Sequence, residues 1–136
     1  MRRKKILEQI LIDTNILIAF LDIEHVNHEL VHAELRLHSS RILMATTSFI
    51  ECLVKAYEKG YEFAFNYELT FWKLVHSTVD LTQNIARKSA QLLAHENIGF
   101  ADSIVWATAE TQGLVLWTLD RRLANKSPNI RYLLES

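Results

Sequence analysis

The chain has 136 residues, 49% of them hydrophobic, with only three glycines and one proline, so we expect a single domain over residues 1–136 without a flexible linker. A formal net charge of −1 excludes a globally basic nucleic-acid binder, so any contact with phosphates must come from local patches. Cys52 is the only cysteine, which excludes an internal disulfide framework and fits a reducing cytoplasm.

The first predicted strand covers residues 6–12 and ends at Asp13. The basic residues before it lead into an apolar run that is too short for a signal peptide. No run in the sequence reaches the length of a membrane span, so we expect no membrane association. A short helix is predicted over residues 15–21, with Asp13, Thr14 or Asn15 as its cap.

A second helix is predicted over residues 24–38, because apolar residues recur there at three- and four-residue steps. The residues that set this period are Val26, Leu30, Ala33 and Leu37. Ser39 and Ser40 then predict a turn, and residues 42–45 form the second predicted strand.

The third helix is predicted to open at residues 46–48, where Ser48 and Glu51 match a capping box, and to stop at Gly60. Its predicted apolar side holds Ile50, Leu53, Val54 and Tyr57. The next helix, up to His76, is rich in aromatic residues. One face of that helix holds Tyr61, Phe65, Leu69 and Trp72.

Strands and helices continue to alternate in the second half of the chain. The predicted elements are a strand at residues 78–81, a helix capped by Thr82 and running to about Asn97, a helix from Asp102 to Gln112 that Gly113 ends, a strand at residues 114–119 and a short edge strand at residues 130–134. This alternation predicts an α/β fold, a three-layer α/β/α sandwich around a central, mostly parallel sheet.

Four acidic residues fall at equivalent junctions of this predicted fold. Asp13 and Asp120 follow strands directly, while Glu51 and Asp102 lie in the first turns of helices that start at the same edge. Each acid alone could simply cap a helix or complement its dipole. Because ligands of parallel sheets collect outside the carboxyl ends of the strands, the sequence predicts that the four acids share one crevice.

Crowded carboxylates repel one another unless a cation neutralises them. Carboxylate oxygens are ligands that Mg²⁺ or Mn²⁺ prefers, and such a metal can activate water and offset the charge that grows on a phosphate. Asn15 and Thr118 are placed to orient carboxylates or waters. Their alternative roles are a helix cap and an ordinary hydroxyl at the end of a strand.

Residues 10–15 (ILIDTN), 47–51 (TSFIE), 99–109 (GFADSIVWATA) and 113–120 (GLVLWTLD) resemble, in order and spacing, the motifs of the PIN-domain ribonucleases. The chain is most similar to the VapC-like toxins of bacterial toxin–antitoxin pairs, and the similarity extends from residue 8 to about residue 134. Two positions depart from the family pattern. Leu123 stands where many relatives carry Phe, and Leu119 stands where Asn is common.

The resemblance implies a metal-dependent endoribonuclease that hydrolyses RNA phosphodiester bonds with metal-activated water. It implies that Mg²⁺ or Mn²⁺ is held by four ligands with catalytic roles, Asp13, Glu51, Asp102 and Asp120, with Asn15 and Thr118 in support. It also implies a homodimer that a cognate antitoxin inhibits. The excess of aromatic residues between Tyr61 and Trp72 is mostly core by default, although some of them could form a dimer surface or a groove for a partner helix.

Several basic residues, and several residues of types that can bind metal, lie outside these motifs. Arg121, Arg122 and Lys126 could bind substrate phosphates, or they could form a solvated loop. Lys55 and Lys59 could extend a basic rim. For the remaining candidates we expect structural roles. His25, His28 and His32 are predicted to form a solvent-facing stripe rather than a zinc site, and Cys52 is predicted to be a small core residue.

Three rival functions stay open at this point. A haloacid-dehalogenase-like phosphatase needs a second acid two residues after Asp13, where this chain has Asn15. A receiver-like domain needs paired acids near the first strand, and these are absent. A non-catalytic PIN-fold module that binds RNA or protein would keep the fold without metal-dependent cleavage.

Overall fold

The computed structural model describes residues 8–134, apart from the side chains of Ser39 and Ser40. Residues 6 and 7, the predicted start of the first strand, lie outside the described residues. Within the described range there are five strands: β1 (Glu8–Ile12), β2 (Ser39–Ala45), β3 (Ser77–Val79), β4 (Val115–Thr118) and β5 (Ile130–Tyr132). The helices in that range are α1 (Thr14–Leu21), α2 (His28–His38), α3 (Thr46–Glu58), α4 (Tyr61–Leu74), α5 (Gln83–His95), α6 (Phe100–Gln112) and α7 (Arg121–Ala124).

The five strands form one sheet in the order β3-β2-β1-β4-β5, and every pair of neighbours is parallel. β1 lies at the centre, where Leu11 is paired with Leu43 on one side and with Leu116 on the other. The predicted α/β fold is therefore confirmed, and the sheet is parallel in all its described strands.

Two hydrophobic clusters cover the two faces of the sheet. On one face, Ile10 and Ile12 pack with buried residues of α1, α2, α3 and α4. On the other face, Leu11 packs with buried residues of α5, α6 and α7. Successive residues of a strand point to opposite faces, so a continuous apolar strand such as β1 serves both clusters. The result is the predicted three-layer sandwich.

The second helix differs from its prediction because polar side chains hold a turn before it. The backbone N–H of Glu24 donates to Asp22 Oδ1, and that of Asn27 donates to His25 Nδ1. Such local bonds compete with a helix, and α2 begins only at His28. Its buried residues are Val31 and Leu35. The predicted apolar stripe of Val26, Leu30, Ala33 and Leu37 is therefore wrong, and Val26 is 92% exposed.

The turn predicted at Ser39 and Ser40 is also wrong. β2 begins at Ser39, directly after the end of α2. Ser39 is paired with Glu8 and Arg41 with Gln9, so β2 contains one more residue than β1 over this step. The two serines therefore enter the sheet at an irregularity of the kind that a β-bulge produces.

The third helix begins earlier than a capping box at Ser48 requires. α3 starts at Thr46, its N-cap is Ala45, and no side chain caps it, so the predicted capping box is wrong. Its buried residues are Ser48, Cys52 and Ala56. The side predicted to be apolar and packed is instead largely exposed, with Ile50, Val54 and Tyr57 each half-exposed or more.

The second half of the chain follows its predictions closely. Thr82 caps α5 by accepting from the backbone N–H of Ile85 at 3.2 Å, and Gly113 ends α6 with a φ of 64°. The left-handed conformation at Gly113 is one that glycine adopts without a steric penalty. α7 was not predicted, and it lies where we expected a loop. No helix among the described residues is long and apolar enough to span a membrane.

Candidate active site

The four predicted acids lie around the carboxyl ends of β1, β2 and β4. Asp13 joins β1 to α1, and Asp120 joins β4 to α7. Asp102 is in the first turn of α6. Glu51 is the sixth residue of α3 rather than a member of its first turn, because that helix begins at Thr46.

Asp13 is buried, and both oxygens of its carboxylate accept hydrogen bonds. Oδ1 accepts from the backbone N–H of Thr14 at 2.8 Å and so caps α1. Oδ2 accepts from the hydroxyl of Thr118 at 2.9 Å and from Nδ2 of Asn15 at 3.3 Å. Its carboxylate is therefore held in one orientation by groups from two strand ends.

Asn15 and Thr118 connect the ends of β1 and β4 to each other. Nδ2 of Asn15 donates to Oγ1 of Thr118 at 3.2 Å, and Oδ1 of Asn15 accepts from the backbone N–H of Leu119 at 3.0 Å. Oγ1 of Thr118 also accepts from the backbone N–H of Asp120 at 3.0 Å. Two of the four acids are thus positioned by one hydrogen-bonded network.

The two departures from the family pattern leave this network intact. The backbone of Leu119, not its side chain, bonds to Asn15, so an apolar residue serves there. Leu123 is 2% exposed and packs in the hydrophobic cluster, where its side chain anchors α7.

Asp120 has a structural role as well as its place in the cluster. Its Oδ1 accepts from the backbone N–H groups of Arg122 at 2.9 Å and Leu123 at 3.4 Å, and thereby caps α7. The removal of this side chain would therefore affect the local fold and the acidic cluster together.

The ionisation of three acids shows that the cluster is electrostatically coupled. Burial raises the pKa of Asp13 to about 6, hydrogen bonds from Thr118 and Thr14 oppose that rise, and the charges of Asp102 and Glu51 add to it. Burial also raises the pKa of Glu51, and the charge of Asp102 adds to that rise. For Asp102, burial again raises the pKa, and the charge of Asp120 adds to it. The fold has therefore brought four acids that are distant in sequence within range of one another.

Two cations lie beside the cluster. The charge of Lys55 opposes the rise in the pKa of Glu51, and that of Arg122 opposes the rise in the pKa of Asp102. The guanidinium of Arg121 lies 5.1 Å from the ring centroid of Tyr132, and Nζ of Lys126 is 3.8 Å from Oε2 of Glu96. Of the three predicted phosphate-binding residues, Arg122 is thus the one that interacts with a cluster acid.

The chemistry of the donor set suits Mg²⁺ or Mn²⁺, which prefer hard carboxylate oxygens. Within residues 8–134, no three side chains of His, Cys, Asp or Glu come close enough together to hold one ion directly. Mg²⁺ is usually bound through one or two carboxylates and keeps several waters. A wide, mutually repelling set of four carboxylates fits binding of that kind.

The three histidines do not form the solvent-facing stripe that the sequence suggested. His25 precedes α2, and its ring holds the turn there. The Nδ1 of His28 donates to the backbone carbonyl of Ala19 at 2.9 Å, while the ring of His32 stacks on Phe20 at 3.9 Å. His28 and His32 therefore pack α2 against the end of α1.

Cys52 is 3% exposed, which confirms the core interpretation. It interacts with the hydroxyl of Tyr67, and burial raises the pKa of its thiol to about 11. A buried thiol with so high a pKa is a poor nucleophile.

A groove of about 590 Å³ opens beside Glu51, between α1, α3 and α4. The groove could not be predicted from the sequence, because a groove that three helices enclose depends on how they pack. The sequence does contain a signal for one wall of the groove. Glu51, Lys55 and Lys59 follow one another at intervals of four residues, which puts them on the same side of α3.

The sequence of residues 10–127 matches the family described as the PIN domain. No curated protein sequence matches the chain. Among solved structures, the fold is similar to a toxin–antitoxin complex from Klebsiella pneumoniae, with 22% identity and a TM-score of 0.77 over 93% of this chain and 99% of that one.

Two further structures have the same fold. The DNA-bound VapBC from Salmonella typhimurium is 21% identical, with a TM-score of 0.74 over 93% of this chain and 96% of that one. VapC20 from Mycobacterium tuberculosis, described as a toxin that cleaves the sarcin–ricin loop, is 13% identical, with a TM-score of 0.71 over 87% and 95% of the two chains.

Proposed function

The chain belongs to the PIN domain family, and from this premise we propose that it is a Mg²⁺- or Mn²⁺-dependent endoribonuclease, the toxin of a toxin–antitoxin pair. The observation that carries the proposal is the electrostatic coupling of four acids at one edge of the sheet. Three of them have a raised pKa partly because another cluster acid is near. Such repulsion is costly unless a cation neutralises it, which supports a metal site.

The residues that would hold the metal are Asp13, Glu51, Asp102 and Asp120. A divalent cation held there, by one or two of these carboxylates directly and by the others through water, would supply an activated water and would offset negative charge on the phosphate under attack. Asn15 and Thr118 fix the direction of the Asp13 carboxylate through the bonds described above. The chain thereby supplies a preorganised ligand, which costs no rearrangement when metal or substrate binds.

The substrate phosphates next to the cleaved bond would meet cations from the start of α7. Because the charge of Arg122 already acts on Asp102, we expect its guanidinium to bind a phosphate beside the metal. Arg121 and Lys126 would extend this contact. Lys126 would have to exchange its ion pair with Glu96 for one with RNA.

A protein antitoxin is the proposed partner. The similar structures from Klebsiella pneumoniae and Salmonella typhimurium are described as a toxin–antitoxin complex and as VapBC. Their resemblance in fold, together with the match to the family, supports the same kind of pairing for this chain.

A homodimer is proposed through two exposed apolar rows, which we call the α3–α4 face. The row on α3 holds the exposed Ile50, Val54 and Tyr57 with the half-buried Leu53, and the row on α4 holds Tyr61, Phe65, Leu69 and Trp72. The rings of Tyr57 and Tyr61 are 5.5 Å apart and join the two rows. An exposed apolar surface of this kind is typical of protein–protein interfaces.

Cleavage of a mixed RNA pool tests the enzymatic proposal. We expect the purified protein to cut RNA with Mn²⁺ or Mg²⁺ and not with EDTA. Asp102→Asn should lose at least about 100-fold in rate, because a metal ligand is gone. Its metal-free form should be at least as stable as the wild type, because a repelled carboxylate has been neutralised.

The matched control is Glu29→Gln, the same change of acid to amide at an exposed position on α2. It should cleave like the wild type. RNA binding without metal-dependent cleavage would instead support the non-catalytic module. Equal weak cutting by the wild type and Asp102→Asn would identify a contaminating nuclease and contradict the proposal.

A further inference from the structure

His28 and His32 lie four residues apart on α2, on the side of that helix that contacts the end of α1. Their ring centroids are 4.5 Å apart, and the ring planes are inclined by 57°. Both side chains are partly exposed, so dissolved ions can reach them. Two histidines at this spacing on one face of a helix can bind the same metal ion.

A backbone carbonyl of α1 determines which nitrogen of His28 carries the proton. Nδ1 lies 2.9 Å from the carbonyl oxygen of Ala19, and because a carbonyl can only accept, Nδ1 is the donor. The neutral ring then has its lone pair on Nε2. Histidines that bind metal almost always donate their other ring N–H to a carbonyl, a carboxylate or a water in this way.

His32 is held by the next residue of α1. The backbone of Phe20 forms a hydrogen bond with the His32 ring that favours the protonated ring, so the ring donates and the carbonyl accepts. Burial lowers the pKa of His32, and the nearby His28 adds to that fall, so the ring is neutral at pH 7. Each of the two rings therefore has one nitrogen that donates to α1 and a lone pair on the other.

The two other histidines of this region are not arranged in the same way. Nδ1 of His25 accepts from the backbone N–H of Asn27, which uses the lone pair of the neutral ring. Nε2 of His38 is 3.4 Å from Oε2 of Glu34 at the end of α2. Over residues 8–134, no third side chain of His, Cys, Asp or Glu is close enough to complete a set of ligands, so waters would fill the other positions.

We propose that His28 and His32 together bind one divalent transition-metal ion of the Zn²⁺ type through one nitrogen of each ring. Imidazole suits Zn²⁺, Cu²⁺ and Ni²⁺, whereas the carboxylates of the acidic cluster suit Mg²⁺ or Mn²⁺. The chain would then have two metal sites of different chemistry. This site goes beyond the proposed ribonuclease function and does not depend on it.

The expected effect of the ion is on the packing of α2 against α1. A bound cation polarises the ring N–H groups, which strengthens their bonds to the carbonyls of Ala19 and Phe20. Asp13 lies at the other end of α1, about 9 Å from Ala19 along the helix axis. The ion should therefore stabilise the fold without being a ligand of the acidic cluster.

A Zn²⁺ titration of the whole chain, followed by NMR of its six histidine rings, tests the inference. Excess Mg²⁺ is present throughout to compete with Zn²⁺ at the carboxylates. We expect the ring nitrogen signals of His28 and His32 to shift together and to saturate at one ion per chain. The signals of the other four rings should not follow that curve, and the melting temperature should rise.

Two variants each remove one ligand and keep the packing contact. His28→Gln keeps a side-chain N–H for the carbonyl of Ala19, and His32→Phe keeps a ring that can stack on Phe20. Each should lower the Zn²⁺ affinity at least about tenfold, since even the loss of an outer partner of a ligand costs that much. The matched control is His95→Gln at an exposed position of α5, and it should bind Zn²⁺ like the wild type.

Three results would overturn the inference: Zn²⁺ shifts confined to other histidines, no saturable binding by the wild type, or equal Zn²⁺ affinity in the folded variants and the control. The wild-type NMR result stands even if a variant fails to fold. The RNA cleavage assay is a separate measurement, so failure of the zinc site would leave the proposed ribonuclease intact, and failure of cleavage would leave the zinc site intact.

Discussion

Asp13 caps α1 and also belongs to a cluster of acids that repel one another. These two roles shift the pKa of its carboxyl group in opposite directions. The bonds from Thr14 and Thr118 favour the charged form, whereas burial and the neighbouring acids disfavour it. Burial dominates, so the pKa of Asp13 rises to about 6 from an ordinary value of 3.8. The residue therefore makes the metal-free protein sensitive to pH.

The sign of that sensitivity follows from proton linkage. Between about pH 4 and pH 6 the folded protein keeps the proton on Asp13 that the unfolded chain has lost, so the contribution of Asp13 to stability is greatest below pH 4 and is lost as the pH rises to about 6. The loss amounts to about 3 kcal/mol at most, with smaller contributions of the same sign from Glu51 and Asp102. Urea unfolding in EDTA from pH 4 to pH 7 measures it.

Asp13→Asn should flatten most of this pH dependence, because an amide does not titrate. Its stability at pH 4 should be lower than that of the wild type, since the amide nitrogen cannot accept from the hydroxyl of Thr118. If the stability advantage of the wild type over Asp13→Asn does not shrink as the pH rises from 4 to 7, the raised pKa of Asp13 is contradicted.

At the scale of the elements, the sheet shows what could be predicted from the sequence, and α2 and α3 show what could not. The order of strands and helices could be predicted because apolar runs and turn residues are local signals, and the parallel sheet then placed four acids at one edge. The buried sides of α2 and α3 could not be predicted in this way. In α2 the buried apolar residues are Val31 and Leu35, which are fewer than the four of the predicted stripe. In α3 the buried residues are Ser48, Cys52 and Ala56, which are small and do not form a pattern of large apolar side chains.

The exposed side of these helices carries a prediction about assembly. If the α3–α4 face joins two copies, then Phe65→Glu with Leu69→Glu should give a monomer, because each change places an uncompensated charge in an apolar contact. Both positions are at least half exposed, so the monomer should fold normally. Sedimentation measures the change in mass.

The control for the assembly prediction is Ala90→Glu with Ala94→Glu, on the exposed side of α5. It adds the same charge at the same spacing and should leave the mass unchanged. A wild type that is already monomeric at high concentration would contradict the dimer but not the nuclease.

At the scale of the whole molecule, the central sheet links stability to metal binding. The acids belong to four different segments of the chain, so they come together only in the folded state. A metal that binds the folded state alone stabilises it by mass action, by about 2.7 kcal/mol at 100 times its Kd. Metal binding should therefore raise the melting temperature and also offset, at pH 7, the stability that is lost between about pH 4 and pH 6.

The measurement that tests the shared metal site most directly is a calorimetric titration of the metal-free protein with Mn²⁺ at pH 7, beside Asp102→Asn and Glu29→Gln. We predict saturable binding by the wild type and by Glu29→Gln, together with an upward shift in their melting temperatures. In Asp102→Asn the affinity should fall at least about tenfold, while the metal-free protein remains folded. Equal Mn²⁺ affinity in all three folded proteins, or no binding by any of them, would contradict the assignment of these four acids to one metal site.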